Sequence, residues 1–143
     1  MIAQAFQDLV DKLTIALLGG DFASYRSLIA LPVTMTPRNG ATYVLEDEAS
    51  LKSDFEQYHT ILKLNGVTDI FRDVQSVTAQ GPGRVEVLVT THILQQANRV
   101  AEPFATRFFL RRDGADWTII EIESSEEHMN WSLGRPVSGF GWV

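Results

Sequence analysis

GGDFASYRSLIALPVTM, residues 19–35, is the stretch on which the fold turns. Its two glycines suit a helix end, where glycine takes the left-handed conformation easily. Asp21 is a preferred capping residue, and Phe22, Tyr25, Leu28 and Ile29 then recur at helical spacing. The spacing predicts a short helix over 21–29, stopped by Pro32. Immediately afterwards Val33-Thr34-Met35-Thr36 reads as a strand, so helix gives way to sheet very early in the chain.

Upstream, Ile2, Phe6, Leu9, Val10, Leu13 and Leu17 form one helical stripe ending at Gly19-Gly20. Downstream, residues 41–45 make a second short strand beyond a Pro37-Arg38-Asn39-Gly40 turn. Glu46-Asp47-Glu48 places acids at the positive end of a third helix. Its stripe is Leu51, Phe55, Tyr58 and Leu62, and Asn65-Gly66 closes it. From residue 67 the pattern is strand-like: 67–79, 84–96, 102–112 and 116–124, separated by Gly81-Pro82-Gly83, a polar break and Asp113-Gly114. Long strands with short connections pair as an antiparallel meander. The result is an α+β domain.

Composition narrows the function. The net charge of −6, with basic residues scattered, disfavours nucleic acid. The chain has no cysteine, which removes disulfides, a thiolate nucleophile and thiolate metal sites. Asp8, Asp11 and Lys12 interrupt the first apolar stretch, so neither a signal peptide nor a membrane span is expected, and the expected location is cytoplasmic. His59, His92 and His128 lie far apart, and the acids Glu121, Glu123, Glu126 and Glu127 read as solvated charge; no metal and no cofactor are expected. Gly19-Gly20-Asp21-Phe22 lacks the second acid of a diguanylate cyclase loop. There is no Gly-x-Ser-x-Gly elbow, Gly-x-Gly-x-x-Gly or phosphate loop.

Two helices, a two-stranded piece, a third helix and four long strands resemble the nuclear transport factor 2-like fold. That superfamily includes SnoaL-like proteins, ketosteroid isomerases and kinase association domains. Gly20-Asp21-Phe22, and Pro32 or Pro37, stand where such chains place a Gly-Asp turn and a proline. Residues 105–125, ATRFFLRRDGADWTIIEIESS, are similar to the last hairpin of the calcium/calmodulin-dependent kinase association domain, through Thr106-Arg107, Arg111-Arg112-Asp113-Gly114, Trp117 and Ser125. The resemblance implies a cone: three N-terminal helices packed on a strongly bent antiparallel sheet, with a ligand cavity inside. It covers residues 1–125 as a single domain, leaving 126–143 as an extension. Trp131, Phe140 and Trp142 in that extension are expected to pack on the domain or on a partner subunit.

Ketosteroid isomerase chemistry is not supported by this comparison. The family's catalytic aspartate precedes a proline, and here the dipeptide is Thr36-Pro37, whose hydroxyl is no general base near neutral pH. The donor tyrosine falls near Leu13, and the donor acid falls within residues 105–109, which contain none.

The candidate ligand-binding residues are Arg107, Tyr25, Tyr58, His59 and His92, with no catalytic residue assigned. Tyr25 and Tyr58 lie within apolar helical stripes, and His59 lies at the edge of one. His92 alternates with Leu88 and Leu94, which places it inward or at an interface. The association-domain resemblance points Arg107 into the cavity, together with Ile120, Ile122 and Ser124 of the next strand. There it would hold a ligand carboxylate, or pair with Glu86 or Asp69. Strand 84–93 is apolar on both faces, which implies a homodimer through the outer sheet face. The functional expectation is a SnoaL-like protein binding a small apolar or carboxylate-bearing compound, as an isomerase, cyclase or dehydratase. The alternatives are a non-catalytic ligand-binding module and an oligomerisation or interaction module of the same fold.

Overall fold

A computed structural model describes residues 2–37 and 41–124. Arg38-Asn39-Gly40, Ser125, the acids Glu126 and Glu127, His128 and the aromatic extension 126–143 lie outside the described residues.

Helix α1 (Ile2–Gly19) buries Phe6, Leu9, Val10, Leu13, Ala16 and Leu17, the face its spacing predicts. It ends where Gly20 takes φ +68°. Asp21 caps helix α2 (Phe22–Leu28): its carboxylate accepts from the Ser24 amide at 3.2 Å and the Ser24 hydroxyl at 2.6 Å.

The predicted helix limit needs correction. Ile29 is already extended, at φ −113° and ψ 130°, and opens strand β1 (Ile29–Thr36). Pro32 therefore sits inside the strand, after a cis Leu31–Pro32 bond, and does not end the helix. It fits there because the β1 ladder is irregular between Ile29 and Thr34, where a missing N–H breaks no regular pairing.

Strand β2 (Tyr43–Leu45) pairs antiparallel with β1, Met35 opposite Tyr43. Helix α3 (Glu48–Leu64) starts with a capping box. Asp47 accepts from the Ser50 amide at 2.8 Å, and the Asp47 amide donates to Ser50 Oγ at 3.3 Å. Its buried face is Leu51, Phe55, Ile61 and Leu62, with Tyr58 half-buried beside them.

Strands β3 (Asp69–Gly81), β4 (Arg84–Gln95), β6 (Phe104–Asp113) and β7 (Asp116–Ser124) form the expected meander, with β5 (Asn98–Arg99) a short addition on β4. The sheet order is β2-β1-β7-β6-β4-β3. It is a mixed sheet, because β1 runs parallel to β7; the expectation of a wholly antiparallel sheet is corrected. A parallel neighbour requires a long crossover, and the chain from β2 through β6 supplies it. Among the described residues the sheet does not close on itself.

The core lies between the helices and one sheet face. Val87, Val89 and Ile93 of β4, Phe108 and Leu110 of β6, and Ile119 of β7 are all buried there, and Phe6 meets Phe108 edge-on at 5.6 Å. Leu110 stands opposite Ile119 and Phe109 opposite Glu121, so Ile120 is an extra residue in β7. That bulge bends the strand and returns Ile122 to the core side. The other sheet face carries Glu86, Leu88, Thr90, His92 and Leu94 of β4 and Arg107 and Phe109 of β6. Among the described residues, no helix is long and apolar enough to cross a membrane.

Candidate functional site

One side of the interior is polar. Asp54 and Tyr58 are four residues apart on α3 and share a face. From β2, Tyr43 Oη donates to Asp54 Oδ1 across a long 3.4 Å contact. From α2, buried Tyr25 packs on Phe55 with ring centroids 4.7 Å apart. From β3, Arg72 points into the core, its Nη1 donating to Thr14 Oγ1 of α1 at 2.6 Å and to Val10 O at 3.4 Å. The guanidinium also lies 5.8 Å from the Phe108 ring centroid.

These groups act on one another through a poorly solvated space. Burial pushes the Tyr25 phenol above its ordinary value of 10.0, and the Asp54 carboxylate adds to the rise. The same two causes raise Tyr43, where the Asp54 hydrogen bond contributes further. Burial also raises Tyr58, with Arg72 opposing and Asp54 reinforcing. Arg72 is pulled down by burial, while Tyr58, Asp11, Asp69 and Tyr25 favour its charged form. An arginine shifted from 12.5 by burial still carries its charge near neutral pH. The arrangement thus offers a carboxylate, protonated phenols and a buried cation in one apolar setting. Such groups can orient a polar ligand or transfer a proton.

The residues singled out from sequence divide between two faces. Tyr25 and Tyr58 belong to this interior group. His59 stands apart: its Nδ1–H donates to Leu17 O at 2.7 Å, and its ring stacks on Phe55 at 6.4 Å. That fixes its tautomer and ties α3 to α1. His92 lies on the outer face against Phe71, ring centroids 5.7 Å apart, so it does not line the interior.

Arg107 is also on the outer face, and its inward placement is corrected. Thr106, Phe108 and Leu110 hold the core phase of β6, which turns Arg107 away. Its side chain is 47% exposed and lies 2.8 Å from Glu123 and 3.1 Å from Glu86. Glu86, foreseen as a partner, is one; the other is the residue directly opposite on β7. Ile122 and Ser124 do share a face, but it is the face of Thr106 and Phe108.

Arg72, Asp54, Tyr43 and Thr14 were not anticipated. A signal existed for Arg72, since Ile70, Arg72 and Val74 alternate against Asp69, Phe71 and Asp73, putting one cation in an apolar phase. Asp54 had a weaker one, an acid four residues before Tyr58 on the α3 stripe. Among the described residues, no group of three or more histidines or acids gathers where a metal ion could sit.

Three helices against one face of an open, bulged sheet, with polar side chains gathered on the inner side, define an NTF2-like α+β protein. Residues 2–127 match the NTF2-like protein (DUF6841) family, and the chain belongs to that family. Solved structures agree on the fold. A candidate ketosteroid isomerase from Shewanella frigidimarina is 18% identical, with a TM-score of 0.63 over 82% of this chain and 92% of that one. A candidate dehydratase of the NTF2-like family from Streptomyces avermitilis is 14% identical, with a TM-score of 0.62 over 85% and 92%. A candidate calcium/calmodulin-dependent protein kinase type II association domain from Thiobacillus denitrificans is 11% identical, with a TM-score of 0.61 over 82% and 91%. No curated protein matches the chain.

Proposed function

We propose that this protein binds a small, largely apolar molecule between α3 and the inner sheet face. The observation that carries the reading is convergence. All three tyrosines of the chain, from α2, β2 and α3, act on the single carboxylate of Asp54 within a largely apolar core. Polar groups are costly to bury and are retained where a partner uses them. Phenols that stay protonated beside a carboxylate suit proton transfer at a carbon atom, as in an isomerisation, cyclisation or dehydration. The fold neighbours named for isomerase and dehydratase activity support that class of chemistry.

The test is a thermal-shift and calorimetric screen of small cyclic ketones and alcohols against wild type, Asp54→Asn and Tyr43→Phe. The reading expects ligands that stabilise wild type and bind more weakly to both variants. Ligands indifferent to both substitutions would move the site elsewhere. Binding without turnover of any ligand would favour the non-catalytic module.

The outer face supports a second element of the proposal, a homodimer. Leu88, Leu94 and Phe109 stand half-buried on it, and Phe71 is 53% exposed, an apolar surface suited to a second copy. Light scattering on a gel-filtered sample should give twice the mass of the chain, and a monomer at micromolar concentration would end this part of the reading.

A further inference from the structure

We infer that Arg72 is the anchor for a ligand carboxylate, so that the molecule bound inside the cone is an apolar monocarboxylic acid. The inference rests on the proposed interior site and names the class of ligand it takes.

Arg72 is 8% exposed and carries five N–H donors. Only Nη1 is engaged, by Thr14 Oγ1 at 2.6 Å and by Val10 O at 3.4 Å. Nε and Nη2, which form the lateral fork of the guanidinium, make no hydrogen bond among the described residues. No carboxylate of the described residues lies within 4.0 Å of the group. Asp11 and Asp69 act on it only from a distance. The four ion pairs among the described residues all fall elsewhere, on Arg26, Arg107 and Arg111, each partly exposed. The most buried cation thus has no acid beside it among the described residues, the reverse of what stability alone requires.

The fork, unengaged among the described residues, presents two parallel N–H donors, the geometry that a planar carboxylate accepts. The surroundings choose the rest of the ligand. The Phe108 ring lies 5.8 Å from the guanidinium, and β4 buries Val89 and Ile93 on either side of Thr91, the residue opposite Arg72, so the remainder of the molecule is apolar. A net charge of −6, with Asp11, Asp54 and Asp69 acting in this region, disfavours a second negative charge on the ligand. A monoanion fits that balance better than a phosphate dianion.

Calorimetry tests the assignment with matched pairs, octanoate against octanol and phenylacetate against 2-phenylethanol, together with inorganic phosphate. Wild type should prefer each acid over its alcohol by about tenfold or more, and phosphate should not compete. Arg72→Met should erase the preference while leaving alcohol binding in place. Arg72→Lys, which keeps the charge and loses the fork, should retain only part of it. Should Arg72→Met not fold, the wild-type comparison alone decides. Alcohols bound as tightly as acids overturn the carboxylate anchor and leave the interior site standing. Phosphate displacing the acids also overturns it, in favour of a general anion site. No binding of either partner overturns both the anchor and the interior site.

Discussion

Arg107 donates to Glu123, the residue directly opposite it across β6 and β7, at 2.8 Å. Its Nε lies 3.1 Å from Glu86 on β4, so one cation holds two acids from flanking strands. Replacing Arg107 with leucine leaves those acids uncompensated. The urea midpoint should fall slightly, and more at low salt than at high salt, because the group is exposed and screened. Carboxylate affinity should be unchanged, since the residue faces away from the interior. Loss of carboxylate binding in this variant would place the ligand on the outer face.

Glu121, opposite Phe109 on the same face, gives a pH signature. Burial first, and the charge of Glu123 second, hold its carboxyl above the ordinary 4.5. The folded state therefore keeps this proton more tightly than the unfolded chain does. The group's contribution to stability is fully present below that value and is lost as pH rises through the folded pKa. Glu121→Gln should raise the melting temperature at neutral pH, with the gain vanishing below pH 4.5. A variant less stable than wild type at neutral pH would show that the charged form is favoured after all.

The tyrosines make a second pH prediction, of the same sign at the opposite end of the scale. Tyr25, Tyr43 and Tyr58, the chain's full complement, are all raised from 10.0, chiefly by burial. Folded protein should show no tyrosinate absorbance as pH passes 10.0, while the denatured chain titrates there. Above that value only the unfolded chain loses these protons, so stability falls and ionisation should coincide with unfolding. Titration of any one tyrosine in folded protein near 10.0 would remove it from the interior group.

At Gly20, two separate costs can be pulled apart. Its φ of +68° disfavours any side chain, and an added Cβ would stand 2.9 Å from His59 Nε2. The ring cannot swing away freely, because Nδ1 is bound to Leu17 O at 2.7 Å. Gly20→Ala should destabilise by about 1–2 kcal/mol for the backbone alone, with the contact adding to it. In a His59→Ala background the contact is absent, so the same substitution should cost less. Equal costs in both backgrounds would show that the ring yields.

Local features were legible in the sequence to the extent that one segment contains them. The α1 and α3 stripes, the Asp21 cap, the acids at the start of α3 and the turns at Gly83 and Gly114 depend on neighbours a few positions away. The β1–β7 pairing joins residues distant in sequence, and no periodicity announces a partner strand. The inward reading of Arg107 came from the association-domain resemblance, and β6 alone does not contradict it: Ala105 and Phe109 share its phase, so both faces look apolar. The decisive clue lay on β7, where Glu121 and Glu123 face outward and Glu123 stands across from Arg107. The unpaired Ile120 then shifts the phase for the residues before it. Arg72 escaped notice for a different reason. An arginine within a strand is ordinarily solvated, and only the overlying α1 backbone and Thr14 reveal that this one is covered.

The parallel junction of β1 with β7 sets a timetable for the ribosome. Ile29 pairs with Ile119, about ninety positions later, so the early strand waits while the whole meander is made. Among the described strands its one other partner in the sheet is the three-residue β2. A nascent chain halted after Asp113 should therefore be digested readily by protease. One released through Ser124 should resist, because the arrival of β7 welds the two halves of the sheet into one.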